Sequence, residues 1–313
     1  MGFAAAMAVA LALDGLLGWP NGLHLRIGHP VTWLGRLIEA LDARWNRKDH
    51  APWVRRAAGA VAAMAVIALA SLLALAVQVA IPSGWGRIVL LGVFAWPFVA
   101  VRSLYKHVAA VVQPLQANDV GGARRAVSMI VGRDPRQLDE AGIARAAIES
   151  LAENTSDGVV APIFWGALFG LPGIVGYKAI NTLDSMIGHR TERHEAFGWT
   201  AARIDDLANF IPARLTGALF ALVATRSSDA FACMGRDARR HRSVNAGWPE
   251  AAMAGGLSVR LCGPRVYDGI VADEPWLNGS ARDPGESDIA LALQLYVRTM
   301  IGVAGLLVAL ALL

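Results

Sequence analysis

Charge is scarce in this sequence and cysteine nearly absent. Of 313 residues only 17% are Asp, Glu, Lys or Arg, and just two are cysteine. With 55% hydrophobic residues and a mean hydropathy of +0.43, so low a charge density excludes an ordinary soluble domain of this length. Cys233 and Cys262 lie far apart, match no metal-ligand spacing and read as two unpaired thiols in a reducing setting. The sequence has no GxxxxGK[ST] phosphate loop, no zinc-type spacing and no GxSxG elbow, and neither an internal repeat nor a low-complexity stretch. Its net charge of +4 fits basic loops against anionic lipid better than it fits nucleic acid, and no nucleic-acid partner is expected.

Apolar length is what the sequence does have. Residues 57–81 carry no charge over more than the thickness of a hydrocarbon core, which predicts a somewhat tilted span. Residues 88–101 follow after a small turn near Trp85 and complete a helical hairpin. Residues 1–17 are apolar but lack the basic start of a secretory signal, so they read as a retained membrane helix. Residues 289–313 form a last span, with Arg298 near an interface or facing the protein interior. Two further stretches, 158–177 with GLPG in its middle and 207–225 with Pro212 and Arg214, either span or insert partially. Partial insertion is the favoured reading, because Gly/Pro breaks survive at membrane depth only where protein or a water-filled cavity covers the freed backbone.

Basic residues set the orientation. Arg26, Arg36, Arg44, Arg47, Lys48, Arg55 and Arg56 precede the hairpin, and Arg102, Lys106, Arg124, Arg125, Arg133, Arg136 and Arg145 follow it. Its turn holds only Arg87. Positive charge stays inside, so both loops face the cytoplasm. The expectation is an all-α polytopic protein of the inner membrane, one integrated domain over 1–313, with cytoplasmic helical loops and re-entrant or broken helices.

Polar residues gather at the ends of the apolar segments. Glu149 and Glu153 stand at i and i+4 on one helix face, where like charges repel unless something cationic intervenes. Asn154-Thr155-Ser156-Asp157-Gly158 then reads as a turn, either a cap for the next helix or part of a hard-cation site built from oxygens. Lys178, Asn181, Thr182 and Ser185 fall on one helical stripe beside Asp184; an interfacial lysine alone would be a plain anchor. Gly188–His194, with His189 and Arg190, reads as a mobile polar turn suited to phosphate or carboxylate. Asp205 and Asp206 open another apolar helix, where the macrodipole alone would favour them, followed by Asn209 and an apolar-run arginine, Arg214. His241, Arg242 and Asn245 lie in a basic loop before Pro249, and His29 precedes Pro30.

The blocks HPVTWLGRLI, ESLAENTSDGVVAPIFWGALFGLPG, YKAINTLDSMIGHR, DDLANFIPARLTG and HRSVNAGWPEAAMAGGLSVRLCGP resemble the adenosylcobinamide-phosphate synthase family of cobalamin biosynthesis, from about Asp14 to Tyr267. The resemblance implies ATP-dependent amide formation between a carboxylate of adenosylcobyric acid and the amine of 1-amino-2-propanol or its phosphate. Magnesium is the expected companion of ATP, with Glu149, Glu153, Asp157, Asp184 and Asp205 as its candidate ligands. With Lys178 and Asp206 these form the candidate catalytic set. The candidate substrate-binding set is His29, Asn154, Thr155, Asn181, Thr182, His189, Arg190, Asn209, Arg214, His241, Arg242 and Asn245. On this reading the acids and bases meet in one pocket facing cytoplasmic ATP. A homo-oligomer, or association with other membrane enzymes of corrinoid synthesis, fits the same reading.

Two rivals are a transporter and a noncatalytic membrane sensor related to the family. Broken helices carrying Arg214 and carboxylates suit a substrate pathway, but a transporter should show inverted similarity between its halves, and none is found. A sensor should have thinned its charged clusters, and all are present.

Overall fold

The computed structural model describes residues 2–132, 134–267, 270–272 and 274–313, and only the backbone of Asn21, Trp85, 265–267 and 270–272. Arg133, counted above among the basic loop residues, lies outside the described residues. The chain is all-α, as the sequence predicts: fifteen α-helices and four two- or three-residue strands among the described residues.

Residues group into two compact units, each assembled from separate stretches of chain. The first comprises residues 1–100, 161–209 and 306–313. It contains α1 (Gly2–Leu17), α2 (Asn21–Ile27), α3 (Pro30–Trp45), α4 (Pro52–Ala80), α5 (Trp85–Ala95), α9 (Ala161–Phe169), α10 (Leu171–Leu183) and α11 (Trp199–Ala208). The second comprises residues 101–160 and 210–305. It contains α6 (Val101–Gln116), α7 (Val120–Val127), α8 (Glu140–Thr155), α12 (Phe210–Val223), α13 (Ser227–Asp237), α14 (Gly247–Leu257) and most of α15 (Glu286–Leu312). Strands β1 (Leu261–Cys262) and β4 (Trp276–Leu277) pair antiparallel, as do β2 (Arg265–Tyr267) and β3 (Ile270–Ala272).

Three helices are long and apolar enough to cross a membrane: Pro52–Ala80, Gly86–Gln116 and Glu286–Leu312. Two further pairs qualify only when joined across a break, Gly2–Leu17 with Gly22–Trp45 and Trp199–Ala208 with Phe210–Val223. At 29 residues α4 is about 43 Å long, more than a hydrocarbon core of about 30 Å, so it reaches past the core or tilts. It starts at Pro52, five residues before the uncharged run, because proline is preorganised for a first turn and Arg55 and Arg56 extend the helix. The expected span 88–101 falls inside Gly86–Gln116, which is not one regular helix: α5 ends at Ala95, and Trp96–Phe98 forms a 3₁₀ turn around Pro97 before α6 begins.

Helix α4 shows how the first unit packs. Ala62, Ala63, Val66, Ala70 and Ala74 are buried along one face, and these small side chains let α10 approach closely. Among the buried residues of α4 one is polar. Gln78 is buried, and its Oε1 accepts the Leu171 backbone N–H at 2.8 Å, satisfying a group that the start of α10 would otherwise orphan. Gly170 precedes it at φ +71, where a Cβ would also collide with the Gln78 amide. This is the GLPG break. It ends α9 at Phe169 and starts α10 at Leu171. In the second unit, Tyr296 is buried and its hydroxyl donates to the Val101 carbonyl at 2.9 Å. Arg298 lies at the middle of α15 and donates to the Thr225 hydroxyl at 3.2 Å, so this charge within a candidate span has a protein partner.

Candidate functional site

Asn154–Gly158 is not a turn. Helix α8 runs to Thr155 and continues as a π-helical turn, Ser156–Val160, that contains Asp157. A second π turn, Asp184–Gly188, extends α10 and begins with Asp184. Polar turn formers yield here because helical backbone bonds and burial of Ser156, Val159 and Val160 outweigh their local preference. A π turn widens the helix by one residue, is intrinsically unfavourable, and frequently marks a functional position. Both of them carry a candidate acid.

In the first unit the polar stripe of α10 is built as the spacing predicts. Lys178 Nζ donates to Asn181 Oδ1 at 3.1 Å, Thr182 Oγ1 to the Lys178 carbonyl at 2.7 Å, and Ser185 Oγ to the Asn181 carbonyl at 2.8 Å. Lys178 is half-buried, and its charge reaches His29. His29 Nδ1 accepts the Val31 N–H at 3.2 Å, so this histidine caps α3. Asp184 has its pKa raised, first by burial and further by the charge of Asp206, against the opposing pull of His189. Gly188 closes the same π turn, where a Cβ would run into the Asp184 carboxylate. Asp205 accepts from Asn209 Nδ2 at 3.0 Å, and Asn209 Oδ1 accepts from the buried Tyr177 hydroxyl at 2.8 Å. Asp206 pairs with Arg203 at 3.2 Å. His189 and Arg190 are exposed.

In the second unit the two glutamates of α8 part company. Glu149 is buried and accepts the Cys262 N–H at 2.6 Å, whereas Glu153, one turn on, is exposed. Asn154 Nδ2 and Thr155 Oγ1 donate back to the carbonyls of Ser150 and Leu151, at 2.9 and 2.6 Å. Arg214 has the protein partners that an arginine in an apolar run requires. Nη1 donates to the Phe210 carbonyl at 2.6 Å and to Asn245 Oδ1 at 3.3 Å. Its guanidinium carbon also lies 3.6 Å from the Phe210 ring centre and 4.6 Å from that of Trp248. Arg242 is exposed and pairs with the buried Glu274 at 3.3 Å. His241 Nε2 lies 3.8 Å from Glu250 Oε2, and Cys262 Sγ donates to that same oxygen at 3.0 Å.

Sequence reasoning missed Glu250 and Cys262. Glu250 carried a weak signal, an acid beside proline in a first helical turn, whereas nothing in the spacing tied Cys262 to it. It also missed the pairing of Asp42 in α3 with Arg193, whose Nε and Nη2 donate to the carboxylate at 2.9 and 2.7 Å. Asn46 bonds the same carboxylate, which fastens the 189–198 turn to α3.

The model of the family described as CobD/Cbib protein matches residues 7–296. A protein of Rhodobacter capsulatus named "Cobalamin biosynthesis protein CobD" is 62% identical over 302 residues, covering 96% of this chain and 95% of its own. Proteins of the same name from Brucella anthropi and a Sinorhizobium species are 45% and 44% identical, each across 97% of this chain and, respectively, 95% and 97% of theirs. No solved structure matches.

Proposed function

The chain belongs to the CobD/Cbib family, and on that premise we propose that it acts in cobalamin biosynthesis, joining a carboxylate of adenosylcobyric acid to the amine of 1-amino-2-propanol or its phosphate at the expense of ATP. It does so as a multi-pass protein of the inner membrane with its reactive groups open to the cytoplasm. The observation that carries the reading is the match over residues 7–296, which includes every candidate residue, beside relatives named for cobalamin biosynthesis.

The first unit suits this chemistry. Asp184 feels the charge of Asp206, and an all-oxygen carboxylate pair of that kind fits magnesium, which prefers a few carboxylates plus phosphate oxygens. Bound there, magnesium would supply neutralisation of the nucleotide's phosphate charge. Lys178, oriented by Asn181, would supply a cation for the negative charge that gathers on phosphate or at the acyl centre. Asp205, held through Asn209 and Tyr177, would accept a proton from the attacking amine. His189 and Arg190, exposed after the π turn, are available to anionic groups of the substrates.

The test is an assay of the purified, detergent-solubilised protein with ATP, magnesium, adenosylcobyric acid and each amine. Amide product that depends on ATP and magnesium is expected, and Glu153→Gln and Lys178→Met should abolish it while the protein still elutes and melts as the parent does. Full activity in either variant removes that residue from the reaction, and no product with either amine defeats the reading.

A further inference from the structure

We propose that His241, Glu250 and Cys262 of the second unit bind one divalent transition-metal ion of the zinc class, a role for His241 in place of the substrate contact expected from the sequence. Among the described residues, this is the one group of three His, Cys, Asp or Glu whose ligand atoms all lie within 4.8 Å of one another. Glu250 Oε2 stands 3.8 Å from His241 Nε2 and 3.0 Å from Cys262 Sγ. A tetrahedral ion with bonds of about 2.0–2.3 Å sets neighbouring ligands roughly 3.3–3.8 Å apart, so binding needs only small side-chain shifts.

The donor set decides the class of ion. One thiolate, one imidazole nitrogen and one carboxylate suit zinc and its neighbours; magnesium and calcium take oxygen. All three side chains are nearly enclosed: Glu250 is 3% exposed, Cys262 1%, and the His241 side chain 7%. Burying a carboxylate beside a thiol and an imidazole is costly, and a dication offsets that cost.

Two features of the backbone around the cluster point the same way. Cys262 has φ +61, a left-handed conformation that non-glycine residues rarely adopt and that recurs where a side chain is held for function. Its backbone is fixed there by the β1–β4 pairing and by the bond from its N–H to Glu149. His241 Nδ1 lies 3.3 Å from the Ser243 carbonyl, a backbone partner of the kind that orients a metal-ligating histidine. The same Nδ1 lies 3.0 Å from the Ser243 N–H, which matches the metal-free tautomer. Binding therefore moves the imidazole proton from Nε2 to Nδ1, exchanges the amide contact for the carbonyl contact, and releases the Cys262 thiol proton to solvent. Because the ligands come from the loop after α13, from the first turn of α14 and from β1, the ion would tie three elements together.

Elemental analysis of the full-length protein, purified without an affinity metal, should find about one zinc per chain. Cys262→Ser and His241→Ala should lower that at least about tenfold, whereas Cys233→Ser, which alters the other buried thiol, should not. Loading the zinc-depleted protein with cobalt should give the near-ultraviolet sulfur-to-cobalt absorption, present in Cys233→Ser and absent in Cys262→Ser. That band reads the thiolate–metal bond directly, so it separates lost ligation from lost folding. Wild-type protein with neither zinc nor a cobalt band, or Cys262→Ser retaining both, overturns the proposal.

Discussion

Gln78 reaches from the buried face of α4 to accept the Leu171 N–H at 2.8 Å, and so holds the start of α10, the helix that carries Lys178 and Asn181. Gln78→Leu should strip that amide of its partner in an apolar setting, a loss of about 1–3 kcal/mol. Thermal melting in detergent should show a lowered Tm. Gln78→Met, which keeps the length and loses the acceptor, should lose about as much, and an unchanged Tm in both variants would remove the bond as a cause.

Asp184 tests the electrostatics of the candidate site. Burial, with Asp206 adding, raises its pKa, so on the proposed function the activity should fall at a pH above the ordinary carboxylate range as the group takes up a proton. Asp206→Asn removes a like charge, which should move the acid limb of the residual activity to lower pH. Asp184→Asn should cost on the order of a hundredfold in turnover and abolish the limb. A pH–rate profile that is the same in all three proteins would show that Asp184 does not titrate in the reaction.

Arg214 makes contacts that a lysine cannot copy. Its planar group lies near the rings of Phe210 and Trp248 while bonding a carbonyl and Asn245. Arg214→Lys should lower the Tm by several degrees and weaken activity; an unchanged melting curve would mean that charge alone suffices.

The acid limit of folding should depend in part on Asp283. Hydrogen bonds from Arg260, then from Arg145, hold its pKa at about 2, below the ordinary 3.8. A depressed carboxylate stabilises the fold fully above its unfolded pKa, and that contribution is lost as pH falls from 3.8 through about 2. The group is partly exposed, so screening trims the effect. Asp283→Asn should flatten acid unfolding in that window. Tryptophan fluorescence reports it, because Trp276 lies between the two arginines, 4.6 and 4.4 Å from their guanidinium carbons.

The parts of the fold that depend on hydrophobic runs were legible in the sequence. The charge-free stretch inside Pro52–Ala80 could be nothing but a long helix, and GLPG broke its segment at Gly170 as proline and glycine chemistry predicts. The Lys178–Asn181 contact followed from helical spacing alone. The π turns were not legible, because Asn154-Thr155-Ser156-Asp157-Gly158 satisfies every local turn rule and only packing overrides it. Nor was the group of His241, Glu250 and Cys262, since a helix and a left-handed residue in β1 had to fold before their side chains could meet.

The π turn Asp184–Gly188 has a consequence for how this gene product tolerates length changes. A widened turn accommodates one residue more than ordinary winding does, so deleting any one residue within it restores 3.6 per turn and swings whatever follows by about 100°. His189 and Arg190 would then leave the side on which Asp184 lies, without a single side chain having been substituted. Homologues should therefore be expected to vary in the letters of this stretch far more readily than in their number.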